Sequence, residues 1–206
     1  LSFEEGIFMR AAIGRMENIL VTHKPGLSYQ TDYSASSLIL MFFTFSFAGW
    51  LWEVGLHLVV DGMFFNRGFM TGPWLPIYGT GGVLILVLLK RWRSRPLLSF
   101  GLILLLCGTV EYFAGLFLET LFGVRWWNYS GMLFQIQGRV CLEGLLLFGA
   151  GGLFIIYIAA PVLDSRFQRL SELQKNVLCG ALLLIFLLDL ACSFLSPNMG
   201  FGITSL

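Results

Sequence analysis

The residues able to do chemistry in this chain are carboxylates and guanidinium groups placed inside or beside apolar runs. Glu111 and Glu119 stand in the stretch GLILLLCGTVEYFAGLFLETLF, which is otherwise fit for lipid. Glu53 and His57 lie at the end of a second apolar run, and Glu143 lies at the start of a third. Arg67, Arg125 and Arg139 sit in the connectors beside them, accompanied by Tyr78, Trp126, Trp127 and Tyr129. A carboxylate in hydrocarbon is costly, so it faces a protein interior, a partner or a water-filled cavity. Arginines converging there can hold an anionic or zwitterionic group, with the carboxylates positioning them or carrying protons. The same residues would also serve as ion pairs that keep the helices in one register. Residue types alone leave both readings open.

Spacing narrows what can meet. Trp50, Glu53 and His57 stand at i, i+3 and i+7 and share a helix face. His57 is therefore either a hydrogen-bonded neighbour of Glu53 or half of an acid–base pair with it. Glu111 and Glu119 are separated by about 12 Å of rise and roughly 80° of rotation, so both can look into one interior. Trp126, Trp127 and Tyr129 fit an interfacial aromatic belt and also the wall of a binding site.

The elements that must position these groups are membrane helices. The chain is 57% hydrophobic and 12% charged, with a mean hydropathy of +0.80, and several runs are long enough to cross a bilayer. The fold class is therefore all-α, a polytopic membrane bundle of five spans at about 36–60, 73–89, 97–122, 140–163 and 177–195. The first run is too long for a signal peptide. Residues 1–35 form an inner segment, read either as an interfacial helix or as a loosely ordered tail, residues 36–196 the bundle and residues 197–206 an outer tail. The chain starts at Leu1 rather than Met, so a few residues are expected before it. Two prolines and three glycines (Pro73, Pro76, Gly79, Gly81 and Gly82) predict a broken or closely packed second span. With the N-terminus inside, the inner segments hold Arg10, Arg15, Lys24, Lys90, Arg91, Arg93, Arg95, Arg166, Arg169 and Lys175. The outer segments hold only Arg67, Arg125 and Arg139, and ten against three sets the orientation as N-in, C-out.

Several chemistries find no footing. Cys107, Cys141, Cys179 and Cys192 show neither a CxxC motif nor metal-ligand spacing, so no metal and no cofactor is expected. Gly79-Thr80-Gly81-Gly82 lacks the phosphate-loop pattern, and no ATPase motif can be placed. A net charge of +1 gives no field for nucleic acid. The expected contacts are membrane lipids.

A set of short motifs carries a family resemblance. These are Gly49-Trp50-Leu51-Trp52-Glu53, Asn66-Arg67-Gly68-Phe69, Gly72-Pro73 and Pro76-Ile77-Tyr78-Gly79. Glu111-Tyr112, Arg125-Trp126-Trp127-Asn128-Tyr129-Ser130 and Gly138-Arg139-Val140-Cys141-Leu142 complete it. Over residues 38–155 the chain resembles the putative ABC-transporter type IV proteins, small bacterial membrane proteins also labelled putative ABC transporter permeases and related to the transmembrane protein 229 family. The resemblance implies a multi-pass protein of the bacterial plasma membrane working with a separate ATPase or another membrane subunit. Where the family's pattern carries an aspartate after the two tryptophans, this chain has Asn128. The leading expectation is a permease-like protein with a polar site in the outer half of the bundle. The alternatives are a membrane enzyme acting on lipid or lipid-linked head groups through Glu53 and His57, and an accessory or scaffold subunit of a membrane complex; oligomeric state is left open by the sequence.

Overall fold

The computed structural model describes residues 28–199 and the backbone of residues 204–205. The expected interfacial helix falls within residues 1–27 and lies outside them. Five helices follow one another: α1 (Ala35–Val60), α2 (Pro76–Leu88), α3 (Pro96–Phe122), α4 (Leu142–Phe167) and α5 (Glu172–Leu195). α1, α3, α4 and α5 are long and apolar enough to cross a membrane. α2 has 13 residues, about 20 Å of rise, and does not reach across by itself. The expected second span is thus half helix and half irregular chain.

Local chemistry sets the ends. Ser34 caps α1, its hydroxyl accepting from Ser37 N–H at 3.1 Å. Pro76 and Pro96 open α2 and α3, where a missing N–H costs nothing. α3 stops at Gly123 in the left-handed region. Ser171 and Gln174 form a reciprocal capping box at the start of α5. α4 widens into a π turn over Ile155–Ala159, just before Pro161. The wider turn absorbs the proline ring, which would otherwise press on the carbonyl four residues back.

α1 packs on α2 and α5, α2 on α3, and α3 on α4. The core between them holds Met41, Phe45, Leu86 and Ala160 on one side and Ile85, Leu89, Ile103, Cys107 and Ile156 on the other. Leucines and phenylalanines on the remaining faces point outward, as a bundle solvated by lipid requires.

The two ends differ. At the basic end, the buried Arg93 guanidinium donates to the carbonyls of Tyr29, Thr31 and Leu86 and lies over the Tyr33 ring. Lys90 pairs with Asp32, and Asp164 accepts from Ser37 Oγ at 2.8 Å. The opposite, aromatic end carries the loop between α3 and α4. Its Val124–Arg125 strand pairs antiparallel with Thr204–Ser205.

The irregular chain before α2 runs deep into the bundle. Leu75 N–H donates to the carbonyl of Ser46, midway along α1, at 3.0 Å. Such backbone survives at membrane depth only when protein satisfies its polar groups. Asp189 of α5 does so, its Oδ2 accepting from Gly72 N–H at 2.9 Å and from Trp74 Nε1 at 2.7 Å. Asn66 accepts from Trp50 Nε1, and Asn198 donates to the carbonyls of Asn66 and Gly68.

Candidate functional site

The carboxylates and arginines of the aromatic end separate into two clusters. In the first, Glu119 binds two arginines. Its Oε1 lies 2.9 Å from Arg125 Nη2, and its Oε2 lies 2.8 Å from Arg139 Nη2. Arg139 also donates to Gln137 Oε1 at 2.6 Å and sits over the Tyr112 ring, whose hydroxyl donates to the same Gln137 oxygen. Trp127 Nε1 donates to the Arg139 carbonyl at 2.9 Å. Gly115 makes this possible: a Cβ there would stand 3.1 Å from the Trp127 ring and 3.5 Å from the Arg139 side chain. Gly138 turns the loop at φ +70°, where a side chain would meet Asn128 and Ser130. The result is a clamp that fastens the α3–α4 loop onto α3.

The second cluster opens onto a cavity. Glu53 Oε1 accepts from the Tyr78 hydroxyl at 2.6 Å, and Arg67 Nε lies 3.9 Å from Glu53 Oε2. Gly49, one turn before Glu53, leaves the space that the Tyr78 ring occupies against α1. Across the bundle, Glu111 Oε1 accepts from the Tyr129 hydroxyl at 3.1 Å. Burial first, and the Glu111 carboxylate second, push the Tyr129 phenol well above its ordinary range. Tyr129 therefore stays protonated and remains the donor. Glu111 is 3% exposed, and its Oε2 is buried without a hydrogen-bond partner.

Glu53, Arg67, Tyr78, Glu111 and Tyr129 line one chamber of about 390 Å³. Trp126 and Trp127 also border it, and Phe69, Leu75 and Phe194 supply apolar wall. Trp126 itself is buried against Phe69 and Phe122, its Nε1 donating to the Asn198 carbonyl. The volume lies within the range of small-ligand sites, and a few convergent polar groups in an apolar wall match their composition.

Seven of the twelve sequence-selected residues thus meet around the chamber, while Glu119, Arg125, Arg139, Glu143 and His57 do not border it. His57 Nδ1 lies 2.6 Å from Asp61 Oδ2, so the histidine is engaged one turn further along rather than with Glu53. Glu143 Oε1 accepts from Leu133 N–H within the loop. Cys141 caps α4, its sulfur accepting from Gly144 N–H at 3.4 Å. The structure adds Tyr112, Gln137, Asp189 and Asn198, which sequence reasoning did not select. Tyr112 had a signal in the motif Glu111-Tyr112, and Asp189 had one as an isolated charge in an apolar run, whereas Gln137 and Asn198 had none. Among the described residues, no group of three His, Cys, Asp or Glu is arranged to hold a metal ion.

A bundle of apolar helices, with irregular buried chain beside a polar chamber, defines a polytopic helical membrane protein. The family model of the putative ABC-transporter type IV proteins matches residues 40–194, and the chain belongs to that family. No curated protein and no solved structure matches the chain.

Proposed function

We propose that this protein is a permease-like subunit of a bacterial plasma membrane, spanning it five times with its N-terminus inside and C-terminus outside. The α3–α4 loop and the chamber then face outward, and the chamber binds a polar or amphiphilic solute. The buried Glu111 carboxyl, with one oxygen unpartnered at the chamber wall, carries this reading. A carboxyl kept half-satisfied at membrane depth is expensive, and a ligand group that bonds it offsets that cost. Two carboxylates and one guanidinium line the chamber, which favours a cationic or zwitterionic head over a simple anion. Arg125 and Arg139, the groups best suited to an anion, are both committed to Glu119.

The family supplies the expectation of an ATPase partner. The basic end is the inner one on this topology, and its exposed Lys90, Arg91 and Arg95 are where such a partner docks. The test is a structure of the protein in lipid nanodiscs prepared from its native membrane extract. Density against Glu53, Arg67 or Glu111, lost in the Glu53→Gln and Arg67→Ala variants, is the expected result. A chamber that closes onto a dry Glu–Arg pair, unchanged by those substitutions, would overturn the reading.

A further inference from the structure

Glu111 lines two cavities rather than one. Beneath the polar chamber, a second cavity of about 520 Å³ lies between α2, α3 and α4. Ile77, Tyr78, Val110, Glu111 and Phe148 border both, so these side chains are the partition between them. Apart from Tyr78 and Glu111, the lower cavity is lined by apolar side chains and glycines, among them Ile85, Leu147 and Ile155.

Two further observations say what fits there. The floor is built from glycines, and at Gly151 packing does not demand one. A Cβ there would meet nothing within 4 Å, unlike Gly82 and Gly152, which rest on Phe45 and Ile103. Gly151 is exposed, as are Trp52, Leu147 and Phe154 beside it, so the lower cavity is a groove open to the lipid-facing side and left unfilled by this chain. At its upper edge stands Glu111, with Oε1 bonded to Tyr129 and Oε2 buried and unpartnered. An apolar slot ending at a free carboxyl oxygen is complementary to an alkyl chain that carries a hydrogen-bond-donating head. An alkyl chain gains from leaving water, but in a membrane that gain is already supplied by lipid. Selection must therefore come from the head.

Resting on the chamber reading above, we infer that the two cavities form one site for a single-chain amphiphile with a primary ammonium head. The chain lies along Gly151 in the lower cavity, and the head donates to Glu111 Oε2 at the partition. No bond is made or broken.

The probes are lysophosphatidylethanolamine, which has a primary ammonium, and lysophosphatidylcholine, whose quaternary head has no N–H. Both carry brominated chains and are added to the full chain in phosphatidylcholine nanodiscs. Quenching of tryptophan fluorescence is read, Trp52 bordering the lower cavity, and native mass spectrometry counts bound molecules. The expected result is one saturable ethanolamine lipid per chain, held about tenfold more tightly than its choline counterpart. Glu111→Gln, which replaces the free acceptor with an amide donor while still accepting from Tyr129, should abolish that preference. Gly151→Leu, which fills the groove, should weaken both lipids at least tenfold. Gly180→Leu, also in open space but outside both cavities, should change neither.

Equal, unsaturable binding of both lipids that ignores Glu111→Gln and Gly151→Leu would mean that bulk lipid fills the groove, and would overturn the inference. The chamber reading fails separately. If Glu53→Gln alters ligand density in the chamber while Gly151→Leu has no effect on any probe, the chamber stands and the tail groove falls. If neither variant changes anything, both fall.

Discussion

Glu111 and Glu119 share one helix and lie eight residues apart, yet the protein treats them in opposite ways. Glu119 has both oxygens bound to arginines, 2.9 and 2.8 Å away, and is tied further to Gln137, Tyr112 and Trp127 through Arg139. Glu111 has one phenol and an oxygen with no partner. A carboxylate that is fully paired is finished as chemistry, because any ligand must first break an ion pair to reach it. A carboxyl that is half-paired at a cavity wall is unfinished. The two readings that the sequence left open, structural ion pairing and a binding site, are thus each proposed for one of these two carboxylates of α3.

The largest effect should come from breaking the finished half. Glu119→Ala leaves two arginines facing each other, with Arg139 7% exposed, and removing one partner of such a network costs about 3 kcal/mol. The melting temperature in detergent should fall by several degrees, and protease should cleave the α3–α4 loop. Glu111→Gln is the contrasting experiment. The amide oxygen still accepts from Tyr129, so stability should change by less than about 0.5 kcal/mol. Equal losses from the two variants would erase the distinction between clamp and chamber.

Next comes a carboxylate of the finished kind elsewhere in the membrane. Asp189 stood alone in its helix as sequence, and an isolated intramembrane carboxylate reads by default as functional. Its two donors, Gly72 N–H and Trp74 Nε1, give it a structural explanation instead. Asp189→Ala should cost about 2 kcal/mol, since it strands two donors in a bundle. Hydrogen exchange at Gly72 and Leu75 should rise while the α3–α4 loop stays protected. Exchange rising in both places would show that the two regions unfold as one unit.

How much of this was visible beforehand follows from the range of each interaction. The long apolar runs give α1, α3, α4 and α5 within a few residues, because lipid solvation acts on every residue of a span. The proline and glycine content around Pro73–Gly82 announced an irregular second span, and α2 begins at Pro76. That this irregular chain descends to Ser46 and hangs on Asp189 depends on a contact between residues more than a hundred positions apart, which spacing cannot encode. The split between Glu111 and Glu119 was hidden for the same reason. Helical geometry places them roughly 80° apart, but only the fold of the α3–α4 loop decides that Arg125 and Arg139 both go to Glu119. His57 was misleading in a simpler way: Glu53 and Asp61 stand four residues to either side of it, and the sequence offers both.

His57 sharpens the comparison at its weak end. Its pair with Asp61 lies at the end of α1, with the two side chains 27% and 32% exposed. Partly solvated hydrogen-bonded pairs one helical turn apart contribute about 0.3–0.5 kcal/mol. His57→Gln should therefore lower stability by no more than that amount, read as a shift in melting temperature of a degree or so in detergent. It should leave the binding of the ethanolamine lipid unchanged, because His57 does not border the chamber. Loss of binding in His57→Gln would move the histidine back beside Glu53 as a working group. It would extend the chamber toward the end of α1 and place the boundary between finished and unfinished charge one turn further out.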